Sequence, residues 1–168
     1  PGLYGGKNWP PAAYSPKTHL IYIPDIERGS IFTPAESEYR PGLMFFGGNI
    51  EWEPDGKGFV RAIDLRTGEK AWEFESPGGP NWAGMLATSG GLVFGGAADG
   101  ILRAFNDMTG DVLWTFDTAT VNGGTKTGIL APPTSFTIDD KQYIGLAIGG
   151  RDRTRKDSTY VLLTLDED

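Results

Sequence analysis

Hydrophobic and polar residues alternate in short runs along this chain, and the runs are broken by Gly, Pro, Asn and Asp. Arg61-Ala62-Ile63-Asp64 alternates as a half-buried strand does, and Ala71-Trp72-Glu73-Phe74-Glu75 resumes the pattern after a turn. Long apolar runs with a period of 3.6 are absent. The pattern predicts strands over 12–15, 19–24, 43–46, 58–65, 70–76, 85–89, 92–97, 101–106, 111–117, 133–138, 142–148 and 159–165. The longer connections are expected at 25–41, 47–58 (with Trp52 in it), 118–130 and 151–157. The last of these is charged, Arg151 to Asp157, and reads as a solvated loop. Many short strands with Gly/Pro turns make an all-β protein.

One phrase occurs twice. Arg61-Ala62-Ile63-Asp64-Leu65-Arg66-Thr67-Gly68-Glu69-Lys70-Ala71-Trp72 aligns without a gap on Arg103-Ala104-Phe105-Asn106-Asp107-Met108-Thr109-Gly110-Asp111-Val112-Leu113-Trp114, 42 residues further on. Each copy reads strand, turn, strand, with Thr-Gly supplying the positive φ of the turn. A repeat of about this length marks a propeller blade or a solenoid unit. Four antiparallel strands per repeat favour the propeller. The blade-like units are expected at 12–76, 85–117 and 133–165, about two and three-quarter four-stranded blades. Trp72 and Trp114 recur at one place in the unit, so they are expected to pack neighbouring blades together rather than to stack on a ligand.

Composition narrows the partners more than the fold. The formal net charge of −7 disfavours nucleic acid and anionic membrane surfaces. No run of about 18 apolar residues exists to cross a bilayer as a helix. With no Cys, disulfides and thiolate metal sites are excluded. The start, Pro1-Gly2-Leu3-Tyr4-Gly5-Gly6, lacks both a basic stretch and an apolar one, so no signal peptide is expected there, and without an initiator Met the chain is expected to be a processed or truncated product. A piece of a ring has two free sheet edges, so the chain is expected to need the rest of its propeller.

Common catalytic constellations are poorly represented. His19 is the lone His and lies beside a strand, so no hydrolytic triad is credible. The acidic groups Asp139-Asp140 and Asp166-Glu167-Asp168 fall on a turn and a tail, and read as solvated charge rather than metal ligands. Gly123-Gly124-Thr125-Lys126-Thr127 lacks the spacing and the strand-to-helix context of a phosphate loop.

The Gly/Pro-rich joints are the remaining candidates. Gly5-Gly6-Lys7-Asn8-Trp9-Pro10-Pro11, the doubled hairpin phrase, and Trp82-Ala83-Gly84-Met85-Leu86-Ala87-Thr88-Ser89-Gly90-Gly91-Leu92-Val93-Phe94-Gly95-Gly96 together resemble the C-terminal part of the quinoprotein alcohol dehydrogenases. These are the pyrroloquinoline quinone (PQQ)-dependent methanol and ethanol dehydrogenases. The likeness runs from Gly5 to about Leu165. It implies an eight-bladed propeller with PQQ on its axis, closed by a strand from the other chain end. It also implies oxidation of a small primary alcohol to an aldehyde, a periplasmic location, and cytochrome c as electron acceptor.

Carried over by position, Asn8 would hydrogen-bond PQQ in its plane, with Trp9 beside it and Trp82 near the rim. The competing reading for Asn8 is an Asn that satisfies its own turn, and for Trp9 and Trp82 it is ordinary packing. Residues 147–150 fall where the family lines the far edge of the cofactor, but the divergence at Arg151-Asp152-Arg153 leaves them unassigned. The resemblance puts the catalytic Asp and the ligands of the Ca²⁺ or lanthanide ion upstream, so no catalytic or metal-ligating residue is assigned to this chain, and the isolated chain is expected to be inactive. A propeller scaffold without enzymatic activity is the alternative.

Overall fold

The computed structural model describes residues 2–149 and 158–165. It is all-β, with thirteen strands among those residues and a single 3-10 turn at Thr118–Thr120. In chain order the strands are β1 (Ala13–Ser15), β2 (Leu20–Glu27), β3 (Ser30–Pro34), β4 (Gly48–Trp52), β5 (Lys57–Asp64), β6 (Lys70–Ser76) and β7 (Met85–Ala87). They continue with β8 (Leu92–Gly95), β9 (Ile101–Asn106), β10 (Val112–Asp117), β11 (Thr134–Ile138), β12 (Lys141–Ile148) and β13 (Thr159–Leu163). Three antiparallel sheets follow one another, in the orders β1-β2-β5-β6, β7-β8-β9-β10 and β11-β12-β13, and β3-β4 form a separate hairpin. This is a partial β-propeller.

Strand alternation explains why the sheets stack. On β8 and β9, Val93 and Phe105 face the first sheet and join a core with Leu20, Tyr22, Val60, Ala62, Trp72 and Met85. Their neighbours in sequence, Phe94 and Ala104, face the third sheet and join Leu102, Ile129, Leu146, Ile148 and Val161. The middle sheet is therefore apolar on both faces, as an internal blade must be.

The doubled phrase produces the same local geometry twice. Gly68 (φ 78°) and Gly110 (φ 77°) take the left-handed conformation at matching turns. Their amides donate to Asp64 O at 2.7 Å and to Asn106 O at 3.0 Å. The side-chain Oδ1 of Asp64 accepts from Arg66 N, and that of Asn106 from Met108 N, both at 2.9 Å. Both hairpins shift register at the same place and pair Ala62 with Trp72 and Ala104 with Trp114.

The two Trp residues then part. Trp72 is 7% exposed, lies between Tyr22 and Phe105, and donates Nε1–H to Asp107 O of the next blade at 2.9 Å. Trp114 is 43% exposed and stacks along its own strand on Phe116 at 6.3 Å. Its expected inter-blade contact is not seen among the described residues. By repeat register its partner would be the turn that follows β13, where 166–168 lie outside the described residues, as does the expected solvated loop at 151–157.

The segment between β2 and β5 departs from expectation. Residues 43–46, expected as a short buried strand, are exposed, with Leu43 at 64% and Met44 at 81%. The strands are instead β3 and β4, inside the stretches expected to be loops, and Trp52 ends β4. Apolar character placed the strand wrongly because pairing here follows a hairpin register, Ser30 opposite Trp52 to Pro34 opposite Gly48, and not burial.

Candidate functional site

Each sheet is reached through a Pro- or Gly-containing joint, at 10–12, 83–84 and 131–133. The three joints converge at Gly84. A Cβ there would lie 2.6 Å from Pro132 Cβ and 2.8 Å from Pro11 Cδ, so the approach is open only to glycine. Met85 N also donates to Pro11 O at 3.0 Å. The joint carrying Asn8-Trp9 is thereby fastened to the joint carrying Trp82.

Upstream of Pro10 the chain is held from the side of β2. Ile26 N donates to Gly6 O, and Gly2 N to Arg28 O, each at 2.7 Å. The Lys7 ammonium donates to Asn8 O at 2.8 Å and also to Pro10 O, which curls the segment around its own cation. Asn8 donates Nδ2 to Tyr4 O at 3.2 Å and accepts the Trp9 amide on Oδ1 at 2.8 Å. A carboxamide has two N–H donors, so one remains for another acceptor. Trp9 is 63% exposed.

Trp82 is half-buried and is set by its neighbours. Asn81, 1% exposed, donates Nδ2 to Ser76 Oγ at 3.1 Å and accepts from Ala83 N at 3.0 Å, which fixes the backbone on both sides of Trp82. The Trp82 ring meets Tyr4 edge-on at 5.1 Å. Tyr4 in turn stacks on Trp52 at 4.4 Å, and the Arg28 guanidinium lies 5.1 Å from the Trp52 ring centre.

Of the three residues singled out in the sequence, Asn8 and Trp82 are brought together through Tyr4, and Trp9 points to solvent beside them. Asn8 does satisfy its own turn, as its competing reading required, but not with its full donor capacity. Tyr4 was missed, since nothing in Gly2-Leu3-Tyr4-Gly5 distinguishes it. Trp52, expected within a loop, packs on Tyr4 from a strand end. Of the unassigned stretch 147–150, Ala147 and Ile148 belong to β12, and residue 150 lies outside the described residues.

These residues fit one edge of a flat, polyanionic quinone: a spare amide N–H, exposed indole surface and a nearby ammonium group. Among the described residues, no three His, Asp or Glu side chains are grouped to hold a metal ion. No helix of the described residues is long and apolar enough to cross a membrane.

Comparison with known proteins bears on the family and the fold. The family described as "Glucose/ethanol/alcohol dehydrogenase, beta-propeller domain" matches residues 75–144. A quinoprotein ethanol dehydrogenase of Pseudomonas putida is 40% identical over 152 residues, 89% of this chain and 23% of the relative. A lanthanide-dependent methanol dehydrogenase of Methylacidiphilum fumariolicum is 33% identical over 156 residues, again 89% of this chain, and 24% of the relative. Among solved structures, a quinohemoprotein alcohol dehydrogenase from Pseudomonas putida HK5 superposes with a TM-score of 0.78 at 27% identity, over 89% of this chain and 23% of that one. A europium-containing methanol dehydrogenase gives 0.75 at 31% identity, over 88% and 25%. The chain thus spans about a quarter of the length of the relatives it matches. By sequence and by fold it is a homologue of the quinoprotein alcohol dehydrogenases, corresponding to one segment of their β-propeller.

Proposed function

We propose that this chain forms part of a PQQ-dependent alcohol dehydrogenase and supplies one edge of its cofactor site. The carrying observation is the closure of the Asn8-Trp9 joint on the Trp82 joint at Gly84, with an amide donor and indole surface held on either side of Tyr4. PQQ, when bound, is the two-electron oxidant that turns a small primary alcohol into an aldehyde.

The chain's own residues bind and orient. Asn8 would offer its second amide hydrogen to the cofactor, and Trp9 and Trp82 would contribute flat apolar surface along that edge. The catalytic Asp and the ligands of a Ca²⁺ or lanthanide ion lie on the rest of the propeller in this reading. A periplasmic location and a cytochrome c acceptor belong to the same proposal.

The native full-length polypeptide should bind PQQ saturably in Ca²⁺-containing buffer, and Asn8→Ala should weaken binding at least tenfold. Unaltered binding in both Asn8→Ala and Trp82→Ala would remove these contacts from the proposal. A second reading, a non-enzymatic propeller scaffold, is favoured by one observation: the Asn8 carboxamide already bonds Tyr4 O and the Trp9 amide within its own turn. Complete failure of the full-length protein to bind PQQ would select it.

A further inference from the structure

We infer that Tyr4 is the positioning residue of this edge, joining Asn8, Trp82 and the β3–β4 hairpin into one brace. The inference rests on the cofactor reading above and names the part that orders it. Tyr4 makes three contacts that no other residue combines among the described ones. Its carbonyl takes one Asn8 amide hydrogen, its ring takes Trp82 on edge, and its face covers Trp52.

The contacts divide the work. With one Nδ2–H committed to Tyr4 O and Oδ1 committed to the Trp9 amide, the carboxamide cannot rotate, and its remaining N–H has one direction. Trp82 projects from a Gly/Pro-rich turn, Pro77 to Gly84, where the backbone is fixed by Asn81 but the ring direction is not. An edge-to-face partner supplies that direction. Trp52 backs Tyr4 from β4, and β4 is itself tied in by Glu53 N donating to Gly29 O at 3.1 Å and by Arg28 Nε donating to Glu53 O at 2.9 Å. The hairpin therefore serves as a buttress to Tyr4, although its sequence suggested only a loop.

The test uses the native full-length polypeptide with Tyr4→Ala and Tyr4→Phe. Two signals are followed: acrylamide quenching of Trp82, isolated by difference against Trp82→Phe, and the dissociation constant for PQQ in Ca²⁺-containing buffer. Tyr4→Ala should raise Trp82 quenching and weaken PQQ binding about tenfold, while Tyr4→Phe keeps both within about twofold because the ring and the carbonyl remain. Unchanged quenching of Trp82 in Tyr4→Ala would overturn the brace. So would increased quenching with unchanged PQQ affinity, if Trp82→Ala still weakens PQQ. If Asn8→Ala and Trp82→Ala both bind PQQ normally, the cofactor reading itself fails and the positioning role falls with it, whatever the quenching shows.

Discussion

The indole N–H of Trp72 donates to the main-chain carbonyl of Asp107 at 2.9 Å, and this bond joins β6 of one blade to the β9–β10 turn of the next. The same carbonyl accepts Tyr22 Oη–H at 3.2 Å. Among the described residues these are its two donors, and Asp107 is 7% exposed.

That shared acceptor makes the two donors interdependent. Trp72→Phe should cost about 1–3 kcal/mol and Tyr22→Phe about 1 kcal/mol, since each leaves the carbonyl one partner. The double variant should cost more than the sum, because it orphans a buried carbonyl. Urea unfolding of the four proteins measures the coupling, and simple additivity would show that the bonds act independently.

Gly68 and Gly110 provide a matched pair. Both have φ near 78°, but an added Cβ meets nothing within 4 Å at Gly68 and the Trp72 ring at 2.7 Å at Gly110. Gly68→Ala should cost about 1–2 kcal/mol for the left-handed backbone alone. Gly110→Ala should cost about 1–3 kcal/mol more, through displacement of Trp72. The difference in unfolding midpoint isolates the packing contribution.

The convergence at Gly84 should be as intolerant. Gly84→Ala is expected to destabilise by about 1–3 kcal/mol and to weaken PQQ binding, as Pro11 and Pro132 are forced apart. Gly90→Ala, whose nearest neighbour is 3.9 Å away, should stay within about 0.5 kcal/mol and bind normally.

Acid should weaken the β5–β6 hairpin through Asp64. Its carboxyl is held at about 2 by hydrogen bonds from the Arg66 side chain and backbone. A carboxylate with a lowered folded pKa favours the fold above its ordinary value near 3.8, and that contribution disappears as pH falls towards 2. Glu73 shifts in the same direction, chiefly through its hydrogen bond from Arg61. Unfolding curves between pH 5 and pH 2 should be steeper in pH for the parent than for Asp64→Asn, and equal slopes would remove Asp64 as a contributor.

Much of the fold was legible because it is repeated. The positions of β5, β6, β9 and β10 follow from alternation and from the Thr-Gly turns, which act within a few residues. The β3–β4 hairpin was not legible. Neither strand has a buried residue, so alternation carries no burial signal, and the apolar stretch in its connection, Leu43 to Phe46, lies on the surface. Asn8 and Trp82 could be singled out only by resemblance, and Tyr4 could not, since its role lies wholly in contacts with residues far along the chain.

The amino-acid sequence by itself determined the unit of this protein: a four-stranded repeat with Gly at the left-handed turn position and Trp on the outer strand. Those are local preferences, and local preferences act before any long-range contact forms. Only the tertiary structure decided that Trp72 bonds Asp107 of the next blade, which apolar stretch stays exposed, and that three joints meet at one glycine. Each of those depends on which surfaces are brought face to face when the blades pack. A residue's own chemistry states what it can do there but not what it will meet.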